Sequence, residues 1–158
     1  MTENVMSENA MPATVHASAV LVGARAVLIR GPSGAGKSRL TLELIEAARA
    51  GRVRFARLVG DDRVHLASAG GRLLVRPADP LAGLIEVRGA GIRRLDYEPC
   101  AVVGLVVDLD AADAERLPEK KRIEIEGIVL PRLAVAPGTA ALPRALALLT
   151  SFGAATDL

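Results

Sequence analysis

Eight consecutive residues, Gly31-Pro32-Ser33-Gly34-Ala35-Gly36-Lys37-Ser38, satisfy the pattern G-x-x-x-x-G-K-[ST]. Glycines at this spacing let successive backbone N–H groups turn toward a polyphosphate, the Lys37 ammonium can reach its terminal phosphates, and the Ser38 hydroxyl can coordinate Mg²⁺. The chemistry this predicts is phosphoryl transfer or nucleotide binding, and the motif leaves the acceptor unnamed.

Phosphoryl transfer asks a protein to fix the metal, neutralise charge and position the acceptor, sometimes with a carboxylate to take its proton. Acids at strand ends are the candidates. Asp61 follows the run Phe55 to Gly60, and Asp108 follows the longer apolar run Val102 to Val107. By pattern alone Asp108 fits the metal-side acid better. The adjacent pair Asp61-Asp62 suits a proton acceptor, although a solvated turn accounts for it equally well. Glu86, beside Arg88 in an apolar run, reads either as a metal ligand or as half of an ion pair. His16 stands before the first strand and carries no assignment by itself; His65, between Val64 and Leu66, reads as strand surface.

The elements that must hold these groups are short. Ser18 to Val22 and Ala26 to Arg30 form a hairpin that delivers its second strand into the phosphate loop. From Lys37 to Ala50, Leu40, Leu44, Ile45, Ala47 and Ala48 recur at helical spacing, and Gly51 is the stop. Phe55 to Gly60, Arg63 to Ala67 and Leu73 to Arg76 follow as strands, the last two around a Gly70-Gly71 turn. Leu81 to Ile92 is an apolar run interrupted by charges. Ala101 to Asp108 is the central strand, Ile123 to Val135 two strands broken near Pro131, and Ala141 to Ser151 a closing helix.

Composition narrows the reading. A chain of 158 residues fits one domain, placed at residues 15–158 behind a disordered tail at 1–14. Aromatic residues make up only 2%, so the core is aliphatic and a base-stacking surface for nucleic acid is not expected. The net charge of +2 comes from scattered, interspersed charges, densest at Arg49, Arg52, Arg54 and Arg57. Lysine occurs only at positions 37, 120 and 121, so its use in the phosphate loop stands out in an arginine-rich chain. Cys100 is the sole cysteine, which excludes an intramolecular disulfide. No signal-peptide pattern or membrane span is legible, so the expected location is cytoplasmic.

Four features in order resemble the kinase domain of the HPr kinase/phosphorylase family. They are Val15-His16-Ala17 before the first strand, the loop Gly31 to Ser38, the acid pair in Val59-Gly60-Asp61-Asp62, and Ile85-Glu86-Val87-Arg88-Gly89-Ala90-Gly91-Ile92. The last is similar to the family signature I-E-[IV]-R-G-x-G-[IV] and is far more specific than the loop. The resemblance spans His16 to Thr139.

It implies an α/β fold with a mixed β-sheet in a single P-loop kinase domain. It also implies an ATP- and Mg²⁺-dependent kinase acting on a serine of an HPr-like phosphocarrier protein, with a regulatory role in the phosphotransferase system. Under this resemblance Asp61 is the general base, His16 its helper, Lys37 neutralises the transferring phosphate, and Ser38 with Glu86 holds Mg²⁺. Arg116, in Glu115-Arg116-Leu117, matches a motif whose arginine acts at the site. The family's N-terminal domain is missing from this sequence, so a homo-oligomer is left open and the family's hexamer is not implied. Val135-Ala136-Pro137-Gly138-Thr139 keeps the Pro-Gly of a family loop linked to phosphorolysis but lacks its two arginines, which implies a weak or absent reverse reaction. The competing readings are a small-metabolite kinase and a nucleotide-responsive binding module.

Overall fold

The computed structural model describes residues 13–114 and 121–151. Arg116 lies outside the described residues, as do positions 1–12 of the expected tail.

The described elements are strands β1 (Thr14–Val15), β2 (Ala17–Val22), β3 (Arg25–Arg30), β4 (Ala56–Gly60), β5 (Val64–Ala69), β6 (Arg72–Pro77), β7 (Leu84–Val87), β8 (Gly91–Arg94), β9 (Ala101–Asp108), β10 (Arg122–Ile125) and β11 (Ile128–Ala134). Helix α1 (Lys37–Arg49) follows β3, and α2 (Leu142–Thr150) closes the chain. Most strands join one mixed sheet in the order β1-β5-β6-β9-β3-β2-β4, with β11 also beside β9 and β10 beyond it. The fold is α/β, as expected.

Strand alternation decides how the sheet buries its faces. In β3, Val27 and Ile29 face α1 together with Val20, Leu40 and Leu44, whereas Ala26 and Leu28 face the opposite core with Val59, Val64 and Val75. Leu40 and Leu44 are almost wholly buried, each contributing about 1.5–3 kcal/mol. Helix α1 ends where sequence placed its stop. Arg52 N–H donates to Ala47 O and Gly51 N–H to Ala48 O, the paired bonds of a Schellman cap, with Gly51 at φ +79°.

Four expectations need correction or completion. The run Leu81 to Ile92 is a separate hairpin, with β7 and β8 paired antiparallel and a short 3₁₀ turn at Asp79–Leu81 before it. The break in Ile123 to Val135 falls at Glu126-Gly127, both at positive φ, while Pro131 sits inside β11. Pro131 lies opposite Arg122, just before β11 turns its pairing to β9 at Arg132, so its missing N–H falls at a change of partner. Finally, His65 is buried, not surface, and β5, which carries it, is flanked by β1, a strand unread in the sequence that sets Thr14 opposite His65. The same strand begins at Thr14, within the segment read as tail.

Candidate active site

The phosphate loop springs from the end of β3 and runs directly into α1. Gly34 and Gly36 have φ of +83° and +104°, conformations that a side chain opposes, and α1 starts at Lys37. Its first turn contains no acidic residue, so the positive end of the helix is left to an external anion. Lys37 is buried, and its Nζ donates to the carbonyls of Gly31 at 2.9 Å and Pro32 at 3.1 Å. The ammonium is thus held over the loop it must serve.

The acid pair at the end of β4 is divided. Asp61 is 5% exposed and turned inward, where Ser38 Oγ lies 2.7 Å from Oδ1 and 2.8 Å from Oδ2. Ser18 Oγ also donates to Asp61 Oδ1, and the Glu86 N–H makes a long 3.4 Å bond to Oδ2. Asp62 faces outward: its side chain is 59% exposed, and Oδ1 lies 2.7 Å from Nε2 of His16. Against an ionised carboxylate this ring nitrogen is the donor. The histidine expected beside Asp61 therefore partners Asp62.

Glu86 reaches the same place from the separate hairpin. Ile85 is buried in the α1-side core, and the next residue of the strand, Glu86, is exposed, which is why a charge interrupts the apolar run. Gly89 and Gly91, both at φ +84°, turn the hairpin that returns from it. Among the described residues no cluster of three or more His, Cys, Asp or Glu side chains could hold a metal unaided. Mg²⁺ needs no such cluster, since it commonly takes one or two protein oxygens and completes its shell with phosphates and water. The hydroxyl of Ser38 against the carboxylate of Asp61, with Glu86 close by, is a fitting donor set of hard oxygens.

Asp108, favoured by pattern as the metal-side acid, is committed elsewhere. Arg30 donates to both of its oxygens, at 2.7 and 2.9 Å, and Arg132 to Oδ2 at 2.6 Å. Burial pushes the Asp108 carboxyl up, but the hydrogen bonds and charges of Arg30 and Arg132 outweigh it and hold the group below its usual 3.8. Arg132 in turn grips Asp113 with both terminal nitrogens, and that bond is the largest influence raising its own pKa. Asp108 thus anchors the strand end beneath the loop, where Leu109 N–H also donates to Arg30 O.

His16, Ser38, Asp62 and Glu86 line one cleft of about 1480 Å³ with the phosphate loop. This exceeds the roughly 300–1,000 Å³ of an ordinary small-ligand pocket. Asp61 lies behind Ser38, off the lining. Val135, Ala136, Gly138 and Thr139, none of them charged, form part of another wall. Sequence reasoning missed Ser18 and named Asp62 only as half of a pair. Nothing in the spacing tells which of two adjacent acids faces out; for Ser18 the available signal was a lone hydroxyl in an apolar strand, two residues after His16.

This fold and this loop define a P-loop α/β domain. Residues 7–98 match the family described as HPr Serine kinase C-terminal domain, and the chain belongs to that family. It is similar to the HPr kinase/phosphorylase of Streptococcus thermophilus, 34% identical over 142 residues, covering 82% of this chain and 44% of the relative. The HPr kinase/phosphorylase of Geobacillus thermodenitrificans is 33% identical over 148 residues, covering 85% of this chain and 46% of the relative. The chain thus spans less than half the length of these relatives. In fold it matches the Hpr(Ser) kinase/phosphatase from Coxiella burnetii, with a TM-score of 0.69 at 24% identity over 87% of this chain and 88% of that one.

Proposed function

We propose that the chain is an ATP- and Mg²⁺-dependent kinase that phosphorylates a serine of an HPr-like phosphocarrier protein. The observation that carries this reading is the division of the acid pair, Asp61 on Ser38 and Asp62 with His16 at the cleft. A kinase for a hydroxyl needs both a metal-side acid and a reachable proton acceptor, and adjacent residues supply them in opposite directions.

The geometry supports roles that differ from those the resemblance implies. Asp62, oriented by the His16 imidazole, takes the proton of the acceptor hydroxyl while that oxygen bonds to the transferred phosphoryl group and the bond to the nucleoside diphosphate breaks. Asp61 orients Ser38, and Ser38 with Glu86 would hold Mg²⁺, which when bound neutralises phosphate charge. Lys37 stabilises the negative charge of the transferring group. The wall at Val135 to Thr139 carries no charged side chain of its own, which supports a weak or absent phosphorolysis.

Incubation with ATP, Mg²⁺ and an HPr-like protein tests the proposal by following phosphoserine, then its loss on adding phosphate. Phosphoserine on the carrier supports the reading. Saturable ATP binding with no transfer to any carrier would sink it in favour of a binding module, and transfer to a small metabolite instead would name a different kinase.

A further inference from the structure

We propose that Ser18 is a positioning residue whose hydroxyl sets the opposed orientations of Asp61 and Asp62; the inference rests on the kinase reading above. Ser18 lies in β2 with no exposed surface, between the buried Ala17 and Ala19. A hydroxyl in such a place is costly unless fully bonded. Its Oγ donates to Asp61 Oδ1 at 2.7 Å and accepts the Asp62 N–H at 3.1 Å. One atom therefore fixes the side chain of the first acid and the backbone of the second. A hydroxyl supplies a donor and an acceptor at a single point; alanine supplies neither.

The backbone shows what is being held. Asp62 has φ +70°, and Arg63 N–H donates to Asp61 O at 2.7 Å, closing a three-residue turn of the less favourable sense around Asp62. Ala17 N–H donates to Asp62 O at 3.1 Å, and His16 Nε2 meets its carboxylate. Consecutive residues 16, 17 and 18 thus grip the side chain, carbonyl and N–H of Asp62 in turn. Removing the Ser18 hydroxyl strips the acceptor from Asp62 N–H and one donor from Asp61, so both carboxylates lose a constraint at once. Packing alone predicts no such coupling between the metal side and the acceptor side of the cleft.

The test compares Ser18→Ala with Ser18→Cys, which refills the space with a much weaker hydrogen-bonding group. Three readouts are taken on the full chain: amide hydrogen exchange at Asp62 without nucleotide, the gain in affinity for a fluorescent ATP analogue on adding Mg²⁺, and kcat for transfer to an HPr-like acceptor. Both variants are expected to exchange Asp62 N–H about tenfold faster, to lose about tenfold of the Mg²⁺-dependent gain, and to drop kcat with little change in binding of the analogue in EDTA. The proposal is overturned if a folded variant keeps Asp62 protection and the Mg²⁺ gain within about twofold of the parent. It is also overturned if Ser18→Cys restores both, since volume would then be the only requirement. A parent protein that phosphorylates no carrier would defeat the kinase reading, while the first two readouts still decide the role of Ser18.

Discussion

Both carboxylate oxygens of Asp61 lie within hydrogen-bonding distance of a single atom, Ser38 Oγ, at 2.7 and 2.8 Å. One hydroxyl proton cannot serve both at full strength, so the contact is a shared bond that an arriving cation can replace without stranding either partner. Asp62 has no such engagement with the loop and looks outward instead. This contrast separates the two acids experimentally.

Asp62→Asn is expected to lower the transfer rate by roughly two to four powers of ten while leaving nucleotide affinity nearly intact. Asp61→Asn is expected to raise the Mg²⁺ concentration needed for half-maximal rate. Steady-state kinetics across a Mg²⁺ titration distinguishes them, and near-normal kcat in Asp62→Asn would return the base to Asp61.

Lys37→Met removes the ammonium now bonded to Gly31 O and Pro32 O. The expected result is a loss of transfer of about three powers of ten, since charge on the transferring group is no longer neutralised. Lys37→Arg should not rescue it, because a planar fork cannot replace a compact point charge in a buried position. Rapid-quench transfer assays and nucleotide titration check both.

Acid stability should report on Asp108. Its carboxyl is held below the usual 3.8 by Arg30 and Arg132, so in the window below that value the unfolded chain binds the proton more readily. The stabilisation is therefore complete above that window and is lost as pH falls through the lower folded value. Asp108→Asn should cost on the order of 2 kcal/mol near neutrality by leaving two partly buried guanidiniums undercompensated. Urea midpoints should show the gap between parent and variant narrowing as the pH drops from about 5 toward 2.5.

Gly60, the residue before the acid pair, leaves no room for a side chain. A Cβ there would lie 2.7 Å from Val64 Cγ1 and 3.2 Å from the Pro77 backbone. Gly60→Ala should lower stability by about 1–3 kcal/mol and displace the turn that carries Asp61 and Asp62. Thermal unfolding measures the first effect, and the Mg²⁺ titration the second.

The phosphate loop, α1 with its glycine stop, and the central strand β9 were legible because each rests on local chemistry: a motif, a helical period, an unbroken apolar run. Glu86 was legible as an anomaly, and the hairpin explains it. Asp108 misled because a strand-end acid looks the same whether it meets a metal or two arginines, and Arg30 and Arg132 are distant in sequence. The separate roles of Asp62 and Ser18 were hidden for a related reason. Their roles depend on β2 meeting the end of β4, which no local period encodes, and the burial of His65 is likewise a product of tertiary packing.

The place of β9 in the sheet also bears on how the domain assembles. Strand β3 gains its β2 neighbour through a tight hairpin, but its other edge waits for a strand whose Asp108 is 78 residues beyond Arg30. Such distant pairing is slow to form and leaves an apolar edge unpaired in the meantime. The phosphate loop is thus expected to be completed late in folding, once more than half of the chain is available, and binding of an ATP analogue during refolding would serve as a timer for the final docking of β9.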